Sequence, residues 1–267
     1  MSHTVGVTEP SHIEQPSQSA RRLYLLYHEL RASESRYSYV TDTALFAQHL
    51  DLYIRLRAAK DPLLVPEITF DDGHVSNLEL AAPMLAERGL RAIFFITAGW
   101  TGNKTGYMNA EQLRALQAAG HTIGGHGWSH TLLTHCSDGE LQKELGETRL
   151  TLEDNLGAAV TTMSLPGGRC NRRVLKACED AGYTHVYTSV PQAEALPLGA
   201  TVGRLNVRGD MQTEWIARLF APDGKLLADL GRSSRRKDAL KKLLGDALYF
   251  KLWALVNRQE QEEDAGE

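Results

Sequence analysis

Two carboxylates stand side by side, Asp71 and Asp72, where the apolar run 63–70 ends and Gly73 follows. Adjacent anions at the end of a buried strand need compensation, and a metal ion or a reacting substrate is the usual source. Neighbouring side chains on a strand point to opposite faces. The conformational freedom of Gly73 lets the chain turn so that both carboxylates face one pocket. One of them can then hold a cation while the other takes up a proton. A second cluster, Gly124-Gly125-His126-Gly127-Trp128-Ser129-His130, carries two histidines four positions apart. On a helix that spacing would put both imidazoles on one face, but three glycines favour a strand running into a loop. Two neutral imidazoles and one carboxylate, with coordination positions left open, suit a catalytic divalent ion, Zn²⁺ or a similar ion such as Co²⁺. His135 lies five positions further on, so spacing alone leaves three histidines for two ligand positions. Together these residue types predict metal-dependent hydrolysis.

The elements that must position them follow from the pattern around them. Apolar runs at 23–27, 64–70, 92–96, 121–125, 161–165, 185–189 and 203–207 read as strands. Helical patterns lie between. Ser137 with Glu140 forms a capping box ahead of a helix over 138–156, where Leu141, Leu145, Leu152 and Leu156 recur at helical spacing and Gly157 suits the cap. Asn109 with Gln112 offers a similar start and Gly120 a stop, and Asn171 opens a helix that Gly182 closes. Strands alternating with helices imply a parallel sheet. Seven of them imply an α/β fold closed or nearly closed into a barrel, one domain over 21–222.

Outside the barrel, residues 1–20 are rich in Ser, Thr, Pro, Gln and His and read as a mobile tail. The segment 235–258 opens with Arg235, Arg236, Lys237, Lys241 and Lys242 and continues through Leu243, Leu244, Leu248, Phe250, Leu252, Trp253, Leu255 and Val256. It reads as a basic amphipathic helix within a 223–258 extension, suited to packing on the barrel or a partner, or to lying on an anionic inner membrane face. Residues 259–267 read as an acidic disordered tail. A net charge of -4 and a pI near 6.2 give no reason to expect nucleic-acid binding. Three cysteines without a CxxC pair argue against a disulfide framework. No secretory h-region or membrane-spanning run is visible, so a cytoplasmic setting is expected.

The string Thr69-Phe70-Asp71-Asp72-Gly73, followed by His126 and His130, resembles the first two motifs of the polysaccharide deacetylase superfamily, the NodB-homology domain of carbohydrate esterase family 4. The resemblance runs from residue 23 to about residue 220. It implies a distorted (β/α)7 barrel in which Asp71 is the general base and Asp72, His126 and His130 hold the metal. Departures accompany it. Gly127 stands where the family has Ser or Thr, which removes a hydroxyl that braces the loop. In Ser164-Leu165-Pro166-Gly167-Gly168-Arg169 the Pro and Gly of the third motif remain but its Arg sits later, so Arg169, or Arg204 on the last strand, is expected to reach the base. The fourth motif is not visible. The fifth, an apolar strand ending in Leu-x-His, has no counterpart near the C-terminus. Tyr24-Leu25-Leu26-Tyr27-His28 has the same form at the other end of the chain.

First and last strands are neighbours in a barrel, so a circularly permuted layout is expected, resembling poly-N-acetylglucosamine deacetylases, with His28 as general acid. Trp128 is expected to offer a face to a sugar ring, with Tyr27, Trp100 and Tyr107 as further candidates. A backbone N–H near Gly167 is expected to hold the oxyanion, with Arg169 and Arg204 as substrate-side candidates. The implied function is removal of N-acetyl groups from an amino-sugar saccharide or its cytoplasmic or lipid-linked precursor. The alternatives are an O-acetyl esterase or small-amide hydrolase on the same site, and an inactive carbohydrate-binding barrel.

Overall fold

The computed structural model of the chain describes residues 20–33, 35 and 37–244. The tail expected at 1–20 lies outside these residues except for Ala20, which is buried rather than loose. The acidic tail at 259–267 and the apolar half of 235–258 also lie outside them.

Strand β1 (Arg21–Tyr27) leads into a short parallel pair, β2 (Glu29–Arg31) and β3 (Val40–Asp42), that the sequence patterns did not announce, and then into helix α1 (Thr43–Arg57). The order continues β4 (Leu64–Phe70), α2 (Ala82–Ala86), β5 (Ala92–Ile96), α3 (Ala110–Ala118), β6 (Thr122–Gly125), α4 (Asp138–Leu156), β7 (Thr162–Ser164), α5 (Arg172–Asp180), β8 (His185–Tyr187), β9 (Thr201–Val202), β10 (Arg204–Asn206), α6 (Thr213–Arg218) and α7 (Lys225–Leu244). The sheet runs β10-β1-β4-β5-β6-β7-β8-β9, and every pairing in it is parallel.

The two ends of that sheet are one stretch of chain. Val202 in β9 pairs with Tyr187 of β8, and Arg204 in β10 pairs with Tyr24 of β1. The seventh expected strand is therefore present, starting two residues earlier and divided at Gly203. At that glycine the chain passes so close to Val190 O that a Cβ would lie 2.3 Å from it. The change of partner nearly closes the barrel, as the distorted (β/α)7 expectation requires. β1 occupies the gap between the last strand and β4, the place a permuted strand would take.

Strand alternation sorts the side chains into two layers. Leu23, Leu25 and Tyr27 of β1, Ile68 and Phe70 of β4, and Phe94 and Ile96 of β5 join the main core with residues of the surrounding helices. Tyr24, Phe95, Tyr187 and Val202 form a separate buried cluster. Thr69 and Asp71 follow the inward alternation, and so does Arg204, whose guanidinium lies 5.2 Å from the Phe95 ring and 5.9 Å from that of Tyr187.

The caps read from sequence are formed. Ser137 accepts from Glu140 N, Asn109 from Gln112 N and Asn171 from Val174 N, and Gly157 ends α4 at φ 64°. α7 begins at Lys225, ten positions before the basic segment expected to open it. It packs on the barrel through Leu227 and through Gly231, which rides against Pro191 O. Among the described residues no helix is long and apolar enough to cross a membrane.

Candidate active site

The strand ends converge on Asp71. Arg204 donates through Nη1 to Asp71 Oδ1 at 2.7 Å and through Nη2 to Oδ2 at 2.9 Å, a two-pronged pairing that fixes the carboxylate plane. Ser164, the last residue of β7, donates from Oγ to Asp71 Oδ2 at 2.9 Å and accepts from Arg204 Nη2 at 2.6 Å. Arg204 also donates to Thr69 Oγ1 and to Thr188 O, both at 3.3 Å, and it is 0% exposed. Burial raises the Asp71 pKa, but the charges of Arg204 and His126 outweigh it and hold the carboxyl below its ordinary range.

Asp72 is in the opposite condition. Its backbone takes φ 73°, left-handed for a residue with a side chain, and Gly73 continues at 87°. The double turn swings Asp72 toward the loop after β6. There Asp72 Oδ1 lies 3.3 Å from His126 Nε2 and 3.2 Å from His130 Nε2. It is buried and meets hydrogen-bond geometry with neither. The nearest Asp71 oxygen, Oδ2, is 3.7 Å from His126 Nε2. Burial raises the Asp72 pKa, and the two imidazoles outweigh it and hold the carboxyl far below the carboxylate range.

His126 Nδ1 is 2.9 Å from Ser164 O. A carbonyl only accepts, so Nδ1 carries a proton and Nε2 is the nitrogen that faces Asp72, the orientation that metal-binding histidines adopt. Three donors thus converge on one point, all within 4.8 Å of one another. The orphaned buried oxygen and the oriented imidazole fit a divalent cation. The His126 side chain is 2% exposed, Asp72 23% and His130 37%, so solvent reaches the cluster from the His130 side. His130 itself holds φ 65°. Left-handed backbone at side-chain-bearing residues costs about 1–3 kcal/mol each and collects at functional sites.

The other expected site residues separate into those the fold gathers and those it sends elsewhere. His28 follows β1 with its Nδ1 buried and without a hydrogen-bond partner. Burial lowers its pKa, and the charges of Asp71 and Asp72 partly restore it. Gly167 turns the chain just past Ser164 at φ 63°. Arg204 is spent on Asp71 and faces no open space, which corrects its reading as a substrate-side or oxyanion group. Arg169 donates to His135 Nε2 at 3.4 Å and does not reach the base; both stand apart from the metal-type cluster.

Trp128 is half buried, its indole 3.1 Å from where a Cβ on Gly99 would sit, so it packs on the core more than it faces a ligand. Tyr27 is 0% exposed and bonded to His49 and Tyr53, which removes it from any sugar-facing role. Trp100 and Tyr107 do stand beside the cluster: Trp100 lies against the His130 ring at 5.2 Å and against Tyr107 at 4.6 Å, with Lys104 Nζ 3.5 Å above its centroid.

Two contributors escaped the sequence reading. Ser164 sits inside the quoted third-motif string, but nothing local shows that its hydroxyl meets Asp71 while its carbonyl meets His126. Glu144 is the other. It accepts from Trp128 N at 2.8 Å, Ser129 N at 3.0 Å and Ser129 Oγ at 2.6 Å. Its signal was available: it lies on the buried stripe of α4 with Leu141, Leu145, Thr148 and Leu152, a charge on an otherwise apolar face.

Comparison with known proteins bears on the same residues. Residues 64–186 match the sequence model described as polysaccharide deacetylase. YxkH of Bacillus subtilis (strain 168) is 30% identical over 132 residues, 49% of this chain and 47% of that protein. Chitin deacetylase 1 of Cryptococcus neoformans var. grubii is 29% identical over 119 residues, 45% of this chain and 24% of that protein. The chain thus spans less than half the length of these curated relatives. The solved deacetylase PplD of Streptococcus pyogenes, in complex with acetate, shares the fold with a TM-score of 0.66 at 18% identity, over 76% of this chain and 100% of that one. Residues 64–186 are thus the part of this chain that is similar to the polysaccharide deacetylase family.

Proposed function

We propose that this chain is a metal-dependent hydrolase that removes N-acetyl groups from the amino sugars of a saccharide. One observation carries the reading: two neighbouring carboxylates in opposite conditions, Asp71 saturated by Arg204 and Ser164, Asp72 open toward two imidazoles. Asp72, His126 and His130 would hold the ion. When bound, it supplies a nucleophilic water at neutral pH and draws electron density from the acetyl carbonyl.

Asp71 does the proton work. Arg204 and His126 outweigh its burial, so it is ionised at neutral pH and ready to accept a proton from the attacking water. Arg204 and Ser164 prevent the carboxylate from rotating during that transfer. The departing amine needs a proton, because an amine anion is a very poor leaving group, and we assign that proton to His28. The Gly167 N–H is assigned to the charge that develops on the carbonyl oxygen, because the next amide, Gly168 N, is already bonded to Leu165 O at 2.8 Å. The amino-sugar class is supported by the name of the Cryptococcus relative, a chitin deacetylase, and the acetyl group by the acetate bound to PplD. A lipid-linked precursor at an anionic membrane face belongs to the same proposal, supported by the exposed Arg232, Arg235, Arg236 and Lys237 on α7.

One observation favours a second reading, an O-acetyl esterase. Burial pulls the His28 pKa down, which disfavours the protonated form that an amide requires and an ester can forgo. The test is acetate release from chitooligosaccharides and from O-acetylated sugars with added Zn²⁺ or Co²⁺, with Asp71→Asn and His28→Ala alongside. Metal-dependent release from the amides, abolished in Asp71→Asn and strongly reduced in His28→Ala, is expected. Release from esters alone would replace the first reading by the second, and no release from either would sink both.

A further inference from the structure

The loop that carries both imidazoles joins the metal-type cluster at its two ends, His126 and His130. Between them, the chain turns at Gly127 with φ 77° and again at His130 with φ 65°. A loop of that conformation needs its interior N–H groups satisfied, or it relaxes. Two of the three interior amides, Trp128 N and Ser129 N, donate to the same oxygen, Glu144 Oε2, at 2.8 and 3.0 Å, and Ser129 Oγ closes the contact on Oε1 at 2.6 Å. Glu144 is 8% exposed and comes from α4, fixed there by the buried leucines on either side of it. Gly127 completes the fit from the other side: a Cβ on it would come within 3.2 Å of Glu144 Oε2 and 3.4 Å of Pro166 Cγ. The small residue that removes a hydroxyl from this loop is the one that lets the carboxylate in.

We infer that Glu144 is a positioning residue for the metal site: it clamps the 127–129 loop from beneath and so sets the separation and aim of His126 and His130. This rests on the proposed metal role of those histidines. Nothing in the geometry brings Glu144 to the cluster itself, so its effect passes through the loop alone. Groups that hold metal ligands in place typically govern 10–100-fold in affinity.

The test measures Zn²⁺ affinity of the purified full chain by competition with a chromophoric chelator, for wild type, Glu144→Ala, Glu144→Gln and Ser129→Ala, with thermal melts in EDTA alongside. Glu144→Ala is expected to bind Zn²⁺ about 10–100-fold more weakly. Glu144→Gln keeps the reach of the side chain and an oxygen for both amides, and is expected to recover most of the loss. Ser129→Ala, which removes one contact of three without touching α4, is expected to fall between wild type and Glu144→Ala, and it keeps the question open to measurement if Glu144→Ala melts prematurely. Wild-type binding with Glu144→Ala and Ser129→Ala both within twofold of it would overturn the inference and leave the metal reading standing. Equal losses in Ala and Gln would overturn it as well, because positioning through the amides would then not be the cause. A wild-type chain that takes up no Zn²⁺ would overturn the metal reading itself.

Discussion

Asp71 and Asp72 are adjacent in sequence and built on opposite principles. Asp71 directly follows β4 with its N–H still bonded to Tyr27 O, and its charge is met by an arginine and a serine. Asp72 stands on strained backbone, partly open to solvent, with one buried oxygen given no protein partner. The first is complete as it stands, and under the proposed function a cation completes the second. One residue of chain and a left-handed turn separate the proposed proton acceptor from the proposed metal ligand, so the comparison can be broken by substitutions that treat the two carboxylates alike.

The largest effect is expected at Arg204. Truncating it to Ala leaves Asp71 as a buried charge without compensation, and removing one partner of such a pair costs about 3–5 kcal/mol. Urea unfolding of the metal-free protein should report a loss of that size, together with loss of acetate release. A stability change under about 1 kcal/mol would show that the pair is not the closed unit described above.

Asp72→Asn should give the mirror result. Asn tolerates left-handed backbone and keeps the shape while removing the charge that faces the two imidazoles. Zn²⁺ retention through gel filtration should fall sharply, while the unfolding free energy falls less than in Arg204→Ala. Retained Zn²⁺ would mean that Asp72 is not a ligand.

How much of this contrast sequence could carry depends on the separation of its parts. Asp71-Asp72-Gly73 and the His126–His130 spacing are local, and so are the caps at Asn109, Ser137 and Asn171, which is why strand order and ligand candidates were readable. The closed unit is assembled from β4, β7 and β10, with Ser164 lying 93 positions from Asp71 and Arg204 lying 133. No spacing rule reaches that far, and two arginines, Arg169 and Arg204, looked equally able to serve. Tyr27 misled for a different reason. It follows Leu23 and Leu25 at period two, so strand alternation already assigned it to the core. Its place at a strand end beside His28 suggested the pocket instead.

Acid should separate the ionic unit from a neutral one. His49 is buried on α1, accepting from Tyr27 OH on Nδ1 and donating to Met211 O. Burial lowers its pKa from 6.5 to about 4, and the backbone hydrogen bond offsets only part of that. Between those values the unfolded chain binds the proton and the folded chain does not. Stability from this group is therefore full above about 6.5, declines as pH falls through the window and is gone below about 4. At roughly 1.4 kcal/mol per pH unit the loss is on the order of 3 kcal/mol. The folded Asp71 carboxyl titrates below its ordinary value of 3.8, so its contribution persists until the pH falls through that value and is lost further down. Unfolding free energies of wild type and His49→Gln, measured in EDTA from pH 7 to pH 4, should converge as acid is added. Parallel curves would remove His49 as the cause.

The smallest effect should come from the exposed side of the open unit. Lys104 covers the Trp100 ring at 3.5 Å and Tyr107 at 4.4 Å, and Trp100 in turn lies on the His130 ring. An exposed cation–π contact contributes about 0.5–1 kcal/mol, so Lys104→Ala should weaken Zn²⁺ binding by no more than about fivefold. Trp100→Ala, which frees the imidazole directly, should cost more than Lys104→Ala. The order matters more than either value. If Lys104→Ala bound Zn²⁺ more tightly than wild type, the ammonium would be acting on the site by its charge and not by holding the indole. Removing a positive charge beside an intended cation should then tighten Zn²⁺ binding rather than weaken it, and the sign of the change separates the two accounts.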